Sequence, residues 1–116
     1  RLQTRPCAGL SEAVISTTDP SLFDAAGQQK WQTLSQKSRL ARCGGDCYGY
    51  AMVAAGHIDA VIENGLQAYD IQALIPLVQE AGGMVTNWQG GDAASGGSVL
   101  ACGDKNVHAE ILALLA

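Results

Sequence analysis

Strand and helix signals alternate along this sequence, and that alternation limits the folds open to it. Short strand-like segments, most of them bounded by turn-forming residues, predict strands over 12–16, 39–43, 57–63, 83–86 and 98–101. Helical spacing or apolar runs predict helices over 28–38, 47–55 and 70–81, with a further helix after Asp104. Alternation of this kind is typical of α/β proteins. We predict one domain with a five-stranded, largely parallel or mixed sheet flanked by helices.

Two of the predicted helices carry features that define their surroundings. The segment 47–55 is apolar all round apart from its tyrosine hydroxyls, which predicts a buried helix. Pro76 lies inside the pattern of 70–81 and should remove the hydrogen bond to the Gln72 carbonyl, so we expect a kink there. Asn64-Gly65, between the preceding strand and this helix, predicts a tight turn.

The charge distribution excludes some classes of function. The net charge of the 116 residues is −4, but residues 1–42 carry six basic and three acidic groups. Residues 43–116 carry eight acidic groups and one basic group. A nucleic-acid-binding protein needs the opposite sign in quantity. The acidic half suits a metal ion or a cationic ligand, or it is a solvated surface.

We expect neither a membrane-spanning segment, nor a secretion signal, nor a zinc site in this sequence. No apolar run approaches the roughly 20 residues that span a bilayer, and no signal peptide is recognisable. The four cysteines form no Cys-x-x-Cys pair, and only His57 and His108 could complete a zinc site, so a structural zinc is not expected. Their low density fits reduced, mostly buried thiols and a cytoplasmic location.

Three carboxylates stand at the ends of predicted elements. Asp46 follows Gly44-Gly45 and opens the apolar helix, Glu63 ends a strand, and Asp70 opens the next helix. Strand ends in α/β sheets are common ligand positions, and a diglycine lets a ligand approach the backbone. Each residue also has a plain structural explanation, since Asp46 and Asp70 could be helix caps and Glu63 a solvated side chain.

The stretch GGDCYGYAMVAAGHIDAVIENGLQAYDIQALIPLVQEAGGMVTNWQGG resembles the C-terminal half of the inositol monophosphatase family of magnesium-dependent, lithium-sensitive phosphatases. That family carries a Trp-Asp pair, a helix and a Glu-Ala-Gly-Gly stop. Here the pair is Tyr69-Asp70 and the stop is the EAGG of residues 80–83. Asp59-Ala60 and Glu63-x-Gly65 also fall at the family spacing.

Several positions resemble the histidinol-phosphatase branch of this family more than the inositol phosphatases. Tyr69 replaces the usual Trp, and the segments GGDCY, AYDIQALIP and RPCAGLSEAVISTTDP are similar to that branch. The resemblance extends over essentially all 116 residues. It implies magnesium-dependent hydrolysis of a phosphate monoester, L-histidinol phosphate, in histidine biosynthesis.

The resemblance also implies roles for individual residues. Asp70 would be a ligand of a catalytic Mg²⁺ and would touch the substrate, and Glu63 would contact the alcohol part of the substrate. Gly44, Gly45 and Asp46 would line the same pocket. An acid at position 46 suits histidinol, whose amine is protonated at neutral pH, so we expect Asp46, with Glu63, to select a cationic substrate.

The remaining metal ligands of the family do not occur in this sequence. They are an upstream Glu and an Asp-Pro-(Ile/Leu)-Asp-Gly-Thr loop, whereas Asp19-Pro20 here continues as Ser-Leu-Phe. Residue 1 is Arg rather than Met. We therefore expect residues 1–116 to be the C-terminal α/β domain of a longer phosphatase, without its N-terminal metal-binding half and inactive alone. The resemblance further implies a homodimer in the intact enzyme.

Two alternatives remain open at this point. One is an inositol monophosphatase or a broad-specificity sugar phosphatase, against which Tyr69 and Asp46 count. The other is a non-enzymatic binding or dimerisation module, which the missing metal loop favours. Retention of both Glu63 and Asp70 favours an enzyme, because a scaffold has no need of either.

Overall fold

The computed structural model describes residues 2–45 and 47–115, and its elements follow the predicted alternation. The strands are β1 Val14–Thr17, β2 Leu40–Cys43, β3 Ala60–Leu66, β4 Met84–Thr86 and β5 Gly97–Cys102. The α-helices are α1 Ala25–Lys37, α2 Cys47–Ala54, α3 Ala68–Ile71, α4 Leu74–Glu80 and α5 Lys105–Leu115. Short 3-10 helices cover Leu10–Glu12 and Pro20–Leu22, the second with Asp19 as its N-cap residue.

The five strands form one mixed sheet in the order β2-β1-β3-β5-β4. β1 pairs in parallel with β2 and with β3, whereas β5 runs antiparallel to both β3 and β4. The predicted fold class is therefore confirmed. Because β1, β2 and β3 are parallel, their carboxyl ends meet at one edge of the sheet, which is where ligands bind in many α/β proteins.

Helices cover both faces of the sheet, and each face has its own core. On one face, Trp31 of α1 and Ile111 of α5 pack with Ile62. On the other face, Tyr50 of α2 and residues of α3 and α4 pack with Val61. Neighbouring residues of β3 thus point into different cores, and both are buried. This explains why buried residues follow one another in β1, β3 and β5 rather than alternating with exposed ones.

The prediction of a tight turn at Asn64-Gly65 is wrong. β3 continues through both residues to Leu66. Its pairing with β5 shifts by one residue between Glu63 and Leu66, and Gly65 has a φ of 75°. This is the signature of a bulge, in which glycine supplies a backbone conformation that other residues adopt at a cost. The Asn-Gly pair therefore bends the strand instead of ending it.

The predicted helix over 70–81 forms two helices, α3 and α4, separated at residues 72–73. Pro76 is the third residue of α4, a position where a helix needs no backbone N–H donor. The predicted disturbance at Pro76 is confirmed as an interruption of the helix, although Gln72 and Ala73 keep right-handed helical backbone angles. α3 begins one residue after the bulged end of β3.

The prediction that α2 is buried all round is wrong. Tyr50 and Val53 are buried, but Tyr48 is 67% exposed and Cys47 is also exposed. α2 is an outer layer, so only the side that faces the sheet is covered. The cysteines divide in the same way, because Cys7 and Cys102 are buried free thiols whereas Cys43 and Cys47 are exposed ones. No helix within the described residues is long and apolar enough to cross a membrane.

Candidate functional site

Two clefts adjoin the edge where the parallel strands end. The larger, of about 470 Å³, we call the carboxylate cleft; it is lined by Thr18, Leu22, Cys47, Tyr50, Glu63, Asn64, Gly65, Leu66, Asp70 and Leu74. The smaller, of about 190 Å³, we call the diglycine cleft; it is lined by Ser16, Arg42, Cys43, Gly44, Gly45, Tyr48, Gly49, Met52 and Ile58. The first turns of α2 contribute residues to both.

Glu63 is a buried carboxylate in the wall of the carboxylate cleft, with 6% of the residue exposed. It accepts hydrogen bonds from the Thr18 hydroxyl at 2.6 Å, the Thr17 hydroxyl at 3.2 Å and the Thr18 backbone N–H at 3.3 Å. The explanation of Glu63 as a solvated surface residue is therefore wrong. Its carboxylate ties the end of β1 to β3 and holds one wall of the cleft in place.

Asp70 lines the same cleft but is exposed. It does not open the helix as predicted, because Gln67 is the N-cap residue of α3 and Asp70 is the third helical residue. Its Oδ2 accepts a hydrogen bond from the Gln67 backbone N–H at 2.9 Å. A carboxylate in the first turn is also favoured by the helix dipole. The capping explanation is confirmed in this modified form, and Asp70 is at the same time an exposed residue of the cleft lining.

Tyr50 is a third polar group of the carboxylate cleft, and sequence reasoning missed it. The residue is 2% exposed, and its hydroxyl makes no hydrogen bond in the part of the chain that the structure describes. Burial raises the pKa of Tyr50, and the negative charges of Glu63 and Asp70 raise it further. The hydroxyl is therefore neutral and lies within electrostatic reach of both carboxylates.

The two glycines of the predicted site line the diglycine cleft instead of the carboxylate cleft. Gly44 has a φ of 94°, and its N–H donates to the carbonyl oxygens of Thr17 and Thr18 at 3.0 and 2.8 Å. The turn after β2 thus needs glycine for its backbone conformation. Asp46, the third residue of this predicted segment, lies outside the described residues.

The histidines lie apart from both clefts. His57 is exposed in the loop before β3. His108, in α5, is half-buried, and its Nε2 is 2.8 Å from the Thr86 hydroxyl. Burial lowers the pKa of His108. Neither lines the carboxylate cleft, so its ionised groups are the carboxylates of Glu63 and Asp70.

The carboxylate oxygens that line this cleft could supply part of the coordination shell of a magnesium ion. Mg²⁺ prefers oxygen ligands and is usually held by one or two carboxylates, with water and substrate phosphate completing its shell. Asp70 offers such an oxygen at the cleft surface. Within residues 2–45 and 47–115, no group of three or more His, Cys, Asp or Glu side chains could hold a metal ion. Asp70 could thus be one ligand among several, the others coming from elsewhere.

Known proteins resemble this chain in sequence and in fold. The sequence matches the inositol monophosphatase family over residues 1–116. It is 37% identical to the bifunctional phosphatase IMPL2, chloroplastic, of Arabidopsis thaliana over 96% of this chain, and 31% identical to the histidinol-phosphatase of Mycobacterium tuberculosis over 99%. The structure matches that of an inositol monophosphatase from Zymomonas mobilis with a TM-score of 0.94 and 37% identity over 98% of this chain.

The matched region is only part of each of these proteins. The chain spans 35% of the Arabidopsis protein, 44% of the Mycobacterium protein and 46% of the Zymomonas chain. Both the sheet and the flanking helices fall within the matched part, because almost all of this chain is aligned in each comparison. Because the match to the family extends over all 116 residues, the chain belongs to the inositol monophosphatase family.

Proposed function

We propose that this chain is the substrate-selecting, C-terminal part of a magnesium-dependent phosphomonoesterase that hydrolyses L-histidinol phosphate. The observation that carries the proposal is the meeting of Glu63 and Asp70 in one cleft at the carboxyl ends of parallel strands. Histidinol carries an amine that is protonated at neutral pH, and its imidazole becomes protonated in mild acid. Two carboxylates beside one cavity suit such a cation.

Each residue of the predicted site has a proposed role. Glu63, fixed by the threonines at the end of β1, provides a negative wall against which the cationic alcohol part of the substrate lies. Asp46 adds a second negative charge for the same group. Gly44 and Gly45 shape the neighbouring diglycine cleft, along which the substrate extends.

Asp70 would hold Mg²⁺ through its exposed carboxylate, and the same residue would touch the substrate. When bound, the ion supplies positive charge that neutralises the phosphate and the leaving alkoxide. The hydrogen bond from the Gln67 N–H orients Asp70 for this role. The residue thus acts as both a helix cap and a ligand, since a carboxylate has two oxygens.

The longer protein is part of the proposal. The chain covers less than half of the relatives described above, and its described residues could not complete a metal site alone. We propose that the remaining ligands come from an N-terminal half and that residues 1–116 by themselves are inactive. The homodimer and the place in histidine biosynthesis stay predictions of the resemblance, and the cytoplasmic location stays a prediction from the low cysteine density.

The alternative substrate is an inositol phosphate or another sugar phosphate. It is supported by the close structural match to the Zymomonas inositol monophosphatase. The two candidate substrates differ in the charge of their alcohol, because inositol is neutral whereas histidinol is a cation. A non-enzymatic module is less well supported, since a scaffold has no use for carboxylates in a cleft.

Phosphate release by the full-length protein distinguishes these functions. We expect magnesium-dependent release from histidinol phosphate with a higher kcat/KM than from inositol 1-phosphate, and no release when EDTA removes the metal. Asp46→Ala should reduce kcat/KM for histidinol phosphate more than for inositol phosphate. The exposed Glu12→Ala, which lies outside the linings of both clefts, is the matched control. Equal losses on both substrates would contradict a role of Asp46 in selectivity.

A further inference from the structure

The Tyr50 hydroxyl is a buried polar atom that the described fold leaves without a hydrogen bond. Nearly all buried polar groups in native proteins have a hydrogen-bond partner, and a buried group without one costs free energy. Phenylalanine would fill the same space in α2 without that cost. A tyrosine here therefore needs an explanation other than packing.

The position of Tyr50 indicates what kind of partner the hydroxyl takes. Tyr50 lines the carboxylate cleft together with Glu63 and Asp70, and the charges of both carboxylates act on its hydroxyl. A phosphate oxygen approaching this part of the cleft would meet the negative charge of Glu63. A protonated nitrogen would instead be attracted by the carboxylates and would find in the tyrosine oxygen a neutral acceptor.

We propose that the Tyr50 hydroxyl is a substrate-binding group: when the side chains that cover it move aside on binding, its oxygen accepts a hydrogen bond from a protonated nitrogen of the substrate in the carboxylate cleft. The proposal rests on the proposed function and extends it, since it assigns a neutral acceptor to the cation that the carboxylates attract. Tyr50 supplies direction, because an oxygen held on the covered side of α2 accepts from a narrow range of positions, whereas charge attraction alone is weakly directional.

The choice of tyrosine at position 50 has a measurable consequence for stability. Removing an unpaired buried hydroxyl leaves no broken hydrogen bond behind, so Tyr50→Phe should leave the thermal midpoint unchanged or raise it. A structural tyrosine would behave in the opposite way. A loss of affinity together with unchanged or increased stability is thus the pattern of a group kept for binding.

Steady-state kinetics of Tyr50→Phe in the full-length protein test the proposal. A hydrogen bond to a charged group is worth roughly a 10-fold to 100-fold change in affinity. We expect the KM for histidinol phosphate to rise by about that factor, with a smaller rise for inositol 1-phosphate, whose alcohol is neutral. Tyr69→Phe is the control, because Tyr69 is 79% exposed, lines neither cleft and loses the same hydroxyl.

Three kinetic or stability results would overturn the proposal. They are an unchanged KM for histidinol phosphate in Tyr50→Phe, an equal rise in KM for both substrates, and a fall of the thermal midpoint by several degrees. The last result, or a failure of the variant to fold, would show that the hydroxyl has a structural partner. In each of these cases hydrolysis by the wild type would still support the proposed function.

Binding of histidinol keeps the proposal testable if the wild type releases no phosphate. Histidinol alone should raise the thermal midpoint of the wild type, because a ligand that binds the folded state stabilises it. Loss of this shift in Tyr50→Phe and its retention in Tyr69→Phe would support the role of Tyr50 while the proposed reaction fails. A wild type that histidinol does not stabilise, or a Tyr50→Phe variant that keeps the full shift, would overturn the inference.

Discussion

The Thr18 hydroxyl donates a hydrogen bond of 2.6 Å to the buried carboxylate of Glu63. This contact joins the end of β1 to the bulged part of β3, two strands that are paired in parallel only over Ile15–Ser16 and Ala60–Val61. The carboxylate cleft therefore has a wall that is fixed before any ligand arrives. Preorganised charge of this kind is what a site for a cation requires.

Thr18→Val should destabilise the protein by about 1.5–3 kcal/mol, because it removes a hydrogen bond to a buried charge while keeping the shape of the side chain. Denaturant unfolding of the full-length protein measures this. Thr33→Val is the control, since the Thr33 hydroxyl binds only the Gln29 carbonyl of its own helix. A Thr18→Val variant as stable as the control would contradict the structural role of the Glu63 network.

Gly44→Ala should cost about 1–2 kcal/mol of stability, because the φ of 94° is unfavourable for any residue with a Cβ. No atom within 4 Å would obstruct that Cβ, so the cost is one of backbone conformation alone. Gly45→Ala is the matched control: its Cβ would make only ordinary contacts, at 3.4 Å or more. Comparable losses in the two variants would contradict this assignment.

Arg5→Met should lower the free energy of unfolding by about 2 kcal/mol, less than the 3–5 kcal/mol typical of a broken buried pair, because the Arg5 side chain is 36% exposed. Arg5 donates hydrogen bonds of 2.8 and 2.7 Å to Asp59, which is 1% exposed and also accepts from the Val14 N–H. Arg39→Met, at an exposed position, is the control. Equal stability of the two variants would show that Asp59 does not depend on its partner.

Stability should fall as the pH drops below 6.5, partly because of His108. Burial lowers the pKa of His108 from the ordinary value of 6.5, so the folded state binds fewer protons than the unfolded state between the two pKa values. The contribution of His108 to stability is present above pH 6.5 and is lost as the pH falls through the pKa that this residue has in the folded state. His108→Gln should flatten the dependence of the thermal midpoint on pH. An unchanged slope in His108→Gln would show that this histidine does not contribute to the pH dependence.

Local sequence patterns were sufficient to predict the layered α/β fold. Apolar runs and helical spacing depend on neighbouring residues, and both faces of the sheet are covered by helices that those patterns reveal. The turn predicted at Asn64-Gly65 is wrong because an Asn-Gly pair suits both a tight turn and a bulge, and only the pairing with β5 decides between them. Exposure of Tyr48 was missed for a similar reason, since composition does not tell which side of α2 meets the sheet.

The candidate site was predicted in part. Glu63 and Asp70 share a cleft as their positions in the resemblance imply, and Gly44 and Gly45 line the cleft beside it. Tyr50 was missed because its hydroxyl lies within an apolar run and its lack of a partner is a property of the folded chain. The Arg5–Asp59 ion pair could not be predicted either, because the two residues are 54 positions apart and no local sequence pattern connects them.

Magnesium-dependent hydrolysis of histidinol phosphate by Asp70→Asn, in the full-length protein, tests the central claim most directly. Asparagine keeps an oxygen that can accept from the Gln67 N–H, so α3 stays capped while the negative charge is lost. Asp24→Asn is the matched control, because Asp24 caps α1 through the Gly27 N–H in the same manner and lines neither cleft. We predict that Asp70→Asn reduces kcat/KM by roughly 100-fold or more while Asp24→Asn stays near the wild type. An Asp70→Asn variant with wild-type activity would contradict the assignment of the carboxylate cleft as the place where metal and substrate bind.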